Sequence, residues 1–335
     1  TFLKDKFDNI KGAVNYIEFL TNQRMADQYK SKDSLAFYGL MPESISHEGY
    51  SAKPMHSYWD DFFTIRGLKD AVTIAHILDE KEFEEKFAKL RDEFEKNLYH
   101  SIDLAMKMHD INYIPGCVEL GDFDATSTTI SLYPANELHN LPEPQLKNTF
   151  DKYYENFKKR LNPNDDWINY TPYEIRVAGT FLYLNQKDKT HELLDFFFNN
   201  QRPHEWNHWA EVVWKDKNEP KFIGDMPHTW IGSDYITVVR SIFGYEREGD
   251  SSLVLGAGIK PEWLDRPEGI SIENFATQYG DVSYQLKKDG NEITINLKGN
   301  ITIPHGNIIF KSPVNSDIKS VKINGKDFRN FNKKN

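Results

Sequence analysis

The sequence predicts a mainly α-helical chain that ends in a small antiparallel β domain. Apolar residues in the first 249 positions recur at three- and four-residue intervals, and Pro and Gly break those runs at loop-like spacing. From residue 250 the pattern changes to short β-branched runs bounded by Gly, Asn or Pro. The expected domains are therefore 1–249 and 250–335.

Helices are expected over 5–30, 60–79, 81–110, 126–139, 143–160, 172–185, 189–201 and 229–245. Phe83, Phe87, Leu90, Phe94 and Leu98 fall on one face of the third, and Phe150, Tyr153, Tyr154 and Phe157 do the same in the fifth. Pro115-Gly116, Pro142, Pro163 and Pro203 supply helix stops. In the second domain, Asp289-Gly290 and Asn324-Gly325 each separate two alternating runs, which is a hairpin signal. The expected arrangement is a β-sandwich.

Composition narrows the class. A chain of 335 residues can bury a substantial core. Its net charge of −10 argues against nucleic acid, which is held by basic patches. No apolar run approaches the roughly 20 residues of a membrane helix. The single cysteine, Cys117, allows no internal disulfide.

Three stretches carry candidate chemistry. In residues 39–71, a loop punctuated by Gly and Pro holds Glu48 between His47 and Gly49. It then runs through Tyr50, His56, Tyr58 and Trp59 into a helix that opens with Asp60-Asp61. A carboxylate, two histidines and several aromatics in one loop suit sugar cleavage, where an acid protonates the leaving oxygen and flat rings stack on the sugar. The competing expectation is a surface loop whose Asp pair only favours a helix N-terminus. In residues 121–127, Asp124 is expected either to cap a helix or to reach a sugar hydroxyl. Residues 202–235 hold Glu205, Trp209, Glu211, His228 and Trp230. They also spell H-E-x-x-H at His204-Glu205-Trp206-Asn207-His208, a zinc-peptidase pattern when it lies on a helix. The positions that would complete a metzincin motif hold Glu211 and Trp214 instead, which disfavours that reading.

These residues resemble the inverting glycoside hydrolases built on an (α/α)6 barrel, the glucoamylase-type clan of six-hairpin glycosidases. The resemblance rests on His47-Glu48-Gly49, then Tyr58-Trp59-Asp60-Asp61-Phe62-Phe63-Thr64 and Arg66-Gly67-Leu68. Later in the chain, Ala210-Glu211-Val212 precedes Pro227-His228-Thr229-Trp230-Ile231-Gly232-Ser233-Asp234-Tyr235 in a similar order. The chain departs from the family in a longer loop after Glu48 and in Val212 where Gln is usual. It also has fewer helices than the barrel holds; either the missing ones are expected upstream of Thr1, which is the favoured reading, or the barrel is reduced.

The resemblance implies an (α/α) barrel domain followed by the β-sandwich, and hydrolysis of an O-glycosidic bond with inversion. Glu48 would be the acid, with Asp60 in reserve, and Glu211 the base, their carboxyl groups about 6.5–9.5 Å apart. Tyr50, His56, Tyr58, Trp59, Asp61, Asp124, Trp209, His228 and Trp230 would bind substrate. A carbohydrate is the expected partner, with no cofactor, metal, nucleic acid or membrane required. A polymeric substrate implies a secreted or periplasmic protein whose signal peptide lies upstream of Thr1. Two alternatives are an α/α-barrel polysaccharide lyase using His56 and Tyr58, and a carbohydrate-binding protein without catalysis.

Overall fold

The apolar periodicity read from the sequence becomes burial in a computed structural model of the chain, which describes residues 2–47 and 49–333. About 45% of it is helical and the rest includes small sheets, so the architecture is mixed helix and sheet. The chain divides into two units, Thr1–Asp166 and Trp167–Asn335.

In the first unit, five α-helices occur among the described residues: α1 (Phe2–Asn22), α2 (Tyr58–Ile77), α3 (Lys81–Met108), α4 (Ala125–Leu132) and α5 (Gln145–Arg160). Helix α2 packs on α3 and α4. It buries Tyr58, Phe62, Ile65 and Leu68, a three- and four-residue spacing that forms one face. Helix α3 answers with Phe87, Leu90, Phe94 and Leu98. The run expected over 126–139 stops at Leu132. Pro134 lies just beyond and has no N–H with which to extend the ladder. One buried carboxylate is fully engaged: Glu137 accepts from Lys69 Nζ at 2.9 Å, from Tyr99 and from Asn140 Nδ2 at 2.9 Å.

The second unit opens with a two-residue pairing the sequence did not signal, β1 (Asn169–Tyr170) with β2 (Val213–Trp214). Between and after them come α6 (Ile175–Tyr183), α7 (Lys187–Asn199) and α8 (Thr229–Phe243), with α6 packed on both others. Then follow β3 (Gly244–Arg247), β4 (Ser252–Leu255), β5 (Ile270–Thr277), β6 (Gly280–Asp289), β7 (Glu292–Ile301), β8 (Ile308–Phe310), β9 (Val321–Ile323) and β10 (Lys326–Phe328). The three-stranded sheets β3-β4-β8 and β5-β6-β7 share one apolar core around Leu253, Leu255, Val282, Tyr284 and Leu286. One pairing departs from the antiparallel expectation, because β8 runs parallel to β4. The intervening chain crosses to the other sheet and back before β8 forms.

Helices and sheets of this unit are tied by polar contacts. His191 Nε2 meets the Gly258 carbonyl at 2.7 Å, and the Tyr284 hydroxyl donates to the Phe243 carbonyl at 2.7 Å. Both expected hairpins form: Asp289 pairs with Glu292, and Ile323 pairs with Lys326. The second turn needs positive φ at both central residues, and Asn324 at 51° and Gly325 at 79° provide it. Among the described residues, no helix is long and apolar enough to cross a membrane.

The α2–α3 contact carries the first prediction. Phe94 is buried in it, and Phe94→Ala removes a ring where little can collapse to fill the space. Chemical denaturation should report a loss of about 3–5 kcal/mol. A loss below about 1 kcal/mol would mean that this face is not core.

Candidate functional site

The loop expected to carry the acid is anchored on the first unit through His47. Glu48 itself lies outside the described residues. Its neighbour His47 sits with Nε2 3.0 Å from Ser127 Oγ and 3.5 Å from Asp124 Oδ2, and its ring lies 4.9 Å from that of Trp59. The Asp124 hydrogen bond raises the His47 pKa. Asp124 is the cap of α4, accepting from Ser127 N at 2.9 Å. Burial opposes its ionisation, but hydrogen bonds from His47 and Ser127 outweigh that and hold its carboxyl below the usual range.

Most other candidates of this loop and of the first turn of α2 are buried. Tyr50 is buried and donates to Asp122 Oδ2 at 3.0 Å. His56 is buried between two partners: Nδ1 faces Glu119 Oε1 at 2.7 Å, and Nε2 accepts from Arg24 Nε at 3.2 Å. Tyr58 shares a hydrogen bond with Ser101 Oγ at 2.8 Å inside the α2–α3 contact. Trp59 is buried against Phe63. Asp60 accepts from Ser44 and, at 3.0 Å, from Ser46. Asp61 is 0% exposed and accepts from Met41 N at 3.0 Å, and burial pushes its carboxyl well above the usual range. Burial likewise pushes the Cys117 thiol up to about 12, which removes it as a nucleophile at neutral pH.

In the second unit, three of the sequence candidates come together at the N-terminus of α8. His228 Nδ1 lies 2.7 Å from Asp225 Oδ2, and Nε2 lies 2.5 Å from the Tyr173 hydroxyl. The carboxylate on one side and the phenol on the other assign a proton to Nδ1 and leave Nε2 as acceptor. Asp225 Oδ2 also accepts from the Glu211 backbone N–H at 3.1 Å, which links Glu211 to the same group. The Tyr173 hydroxyl is pushed up to about 12, first by burial and then by the negative charge of Glu211. Its ring meets Trp230 edge-on at 5.4 Å, and Trp230 is 50% exposed.

Next to this cluster lies a half-buried ion pair between α6 and α8, Arg176 Nε to Asp234 Oδ2 at 2.7 Å. The Arg176 guanidinium lies 4.7 Å from the Tyr173 ring centroid and 5.4 Å from that of Trp230. Trp209 is not part of the cluster. It is buried, donating Nε1 to the Phe197 carbonyl at 2.9 Å.

Sequence reasoning missed Tyr173, Arg176, Asp225 and Asp234 as members of this cluster. Their signals were present but weak: Tyr173 and Arg176 are three apart at a helix start, and Asp225 stands three before His228. The H-E-x-x-H segment is not an α-helix. Only His204–Trp206 forms a single 3-10 turn, and Asn207 is left-handed at φ 50°, so the histidines do not share a helical face. Among the described residues, no group of three or more His, Cys, Asp and Glu is arranged to hold a metal ion.

Chemically, the cluster offers a carboxylate, a phenol hydrogen-bonded to an imidazole–carboxylate pair, and an exposed indole. Such a set can move protons beside a ring-shaped ligand. No model of a known protein family matches the chain, and no curated protein is significantly similar to it.

Asp234 supplies the second prediction. Burial pushes its carboxyl up to about 6, against the opposing pull of Arg176 and His228. The folded value exceeds the unfolded one of about 3.9, so the protonated form favours the fold. That contribution is complete below about pH 4 and is lost as the pH rises through about 6. Asp234→Asn should flatten the stability profile across that window. An unchanged slope in denaturation curves measured from pH 4 to 7 would contradict the assignment.

Proposed function

We propose that the chain is a glycoside hydrolase that cleaves an O-glycosidic bond of an oligo- or polysaccharide with inversion. The observation that carries this reading is the cluster at the N-terminus of α8, where Glu211 and the Tyr173–His228–Asp225 chain stand beside the half-exposed Trp230. In the proposed mechanism, the Glu211 carboxyl group serves as the base and takes a proton from the attacking water. Tyr173, whose proton is held by His228, accepts from a ring hydroxyl, and Trp230 stacks on the sugar face. Glu48 is the proposed acid on the strength of its motif. The Ser44 and Ser46 hydroxyls on Asp60 suit that residue better to fixing the loop. In the same proposal, the successive helix pairs α2–α3 and α6–α7 belong to the later part of an (α/α)6 barrel, and the protein acts outside the cytoplasm.

A second reading draws on the same geometry. The hydrogen-bonded Tyr173–His228 pair also suits removal of a proton beside a uronate carboxylate, with elimination of the glycosidic oxygen. His56 and Tyr58, the pair expected for such a lyase, are buried with partners of their own.

A proton NMR time course with α- and β-linked oligosaccharides, read before mutarotation, separates the two. Hydrolysis predicts release of a sugar of inverted anomeric configuration, and Glu211→Gln should slow that release by about 10²–10⁴-fold while sugar binding persists. An ultraviolet-absorbing unsaturated product would instead establish elimination. No product from any oligosaccharide would overturn both.

A further inference from the structure

The sheet β5-β6-β7 ends on each side in an edge strand, and the two edges are built differently. On β5 the register slips between Ile272 and Phe275, a bulge of the kind that blunts an edge. On β7 nothing does. It pairs with β6 without a shift over its ten residues, holds no proline, and has no strand on its outer side among the described residues. A long, regular, unguarded edge is a template for another strand.

The phase of the ladder decides what that edge offers. Asp289 and Glu292 close the two-residue turn into β7, so they form a hydrogen-bonded pair. Just beyond the strand, Thr302 N donates to the Tyr279 carbonyl at 2.8 Å in the same phase. Even-numbered residues of β7 therefore bond to β6, and odd-numbered ones turn their N–H and C=O outward. The odd side chains are mostly apolar. Ile293 and Ile301 pack on the core of the unit, while Ile295 and Leu297 stay 39% and 40% exposed.

The sequence of this edge complements itself. Laid antiparallel on a second copy about Ile295, the run from Glu292 to Lys298 sets Ile293 opposite Leu297 and Thr294 opposite Asn296. It also sets Glu292 opposite Lys298, and two-fold symmetry repeats that opposite-charge pair at the other end. In this register odd residues face odd residues, so the outward N–H and C=O of Ile293, Ile295 and Leu297 meet their counterparts. A slip by one residue sets outward groups against inward ones. A slip by two separates Glu292 from Lys298.

We propose that β7 is a homodimer interface, in which two copies pair antiparallel about Ile295 and join their sheets into one. The inference is independent of what the chain acts on. One strand pair buries less than the roughly 1,200 Å² of a stable interface, so the dimer is of the micromolar class.

Sedimentation equilibrium of the full chain should show monomer and dimer in exchange, with a Kd of roughly 10–100 μM. Lys298→Glu sets like charges opposite each other at both ends and should weaken the dimer by about tenfold. Adding Glu292→Lys to it restores the pairing and should return Kd to within about threefold of the unaltered chain. Both side chains are exposed, so these changes leave the fold in place. Amide hydrogen exchange locates the contact. Protection of Ile293, Ile295 and Leu297 should rise with concentration, while Thr294 and Asn296, already bonded to β6, stay constant. A chain that is monomeric throughout would overturn the proposal and leave the edge to a strand of another protein. A dimer indifferent to the charge exchange, or one that leaves those three amides unprotected, would overturn it as well.

Discussion

The Arg176–Asp234 ion pair is the contact on which the candidate site of the second unit depends. It joins α6 to α8 from the inside, and both side chains are largely shielded from water. Losing Arg176 alone would leave the Asp234 carboxylate without its counter-charge, so the arginine is the member of the pair that is costly to remove. Arg also does what Lys cannot at this position. Its flat guanidinium lies against the rings of Tyr173 and Trp230 together, and so fixes the edge-on angle between them. Burial holds the Asp234 carboxyl near 6, and this keeps the pair sensitive to acid.

Above that pair, the two ring nitrogens of His228 are given different work. Asp225 takes one and Tyr173 the other, so the imidazole has one tautomer and one orientation. The loop of residues 39–57 in the first unit uses similar residue types to a different end. There, His56 is closed between Glu119 and Arg24, and Tyr50 is closed on Asp122. Groups paired within the interior fix a loop. A paired group beside an exposed ring is available to a ligand.

Helical periodicity was legible because it reports burial directly. Phe87, Leu90, Phe94 and Leu98 are spaced as one face and are buried as one face. The hairpin turns were legible for a local reason as well, since Asn324-Gly325 can adopt two positive φ angles cheaply. Of the candidate site, Glu211, His228 and Trp230 were readable as a polar and aromatic stretch. Their partners were not, because Tyr173 and Arg176 lie some fifty residues earlier and meet α8 only through tertiary packing. The same limit explains His56 and Tyr58: their chemistry is visible in sequence, but their burial is not. It also explains H-E-x-x-H, whose letters fit zinc while its backbone turns left-handed at Asn207.

The most direct test of the α8 cluster as the functional site is a crystal structure of Glu211→Gln with an intact oligosaccharide bound. A sugar ring stacked on Trp230, with a hydroxyl in hydrogen-bond reach of Tyr173 or residue 211, is the predicted result. An oligosaccharide bound elsewhere, with Trp230 and Tyr173 untouched, would contradict it.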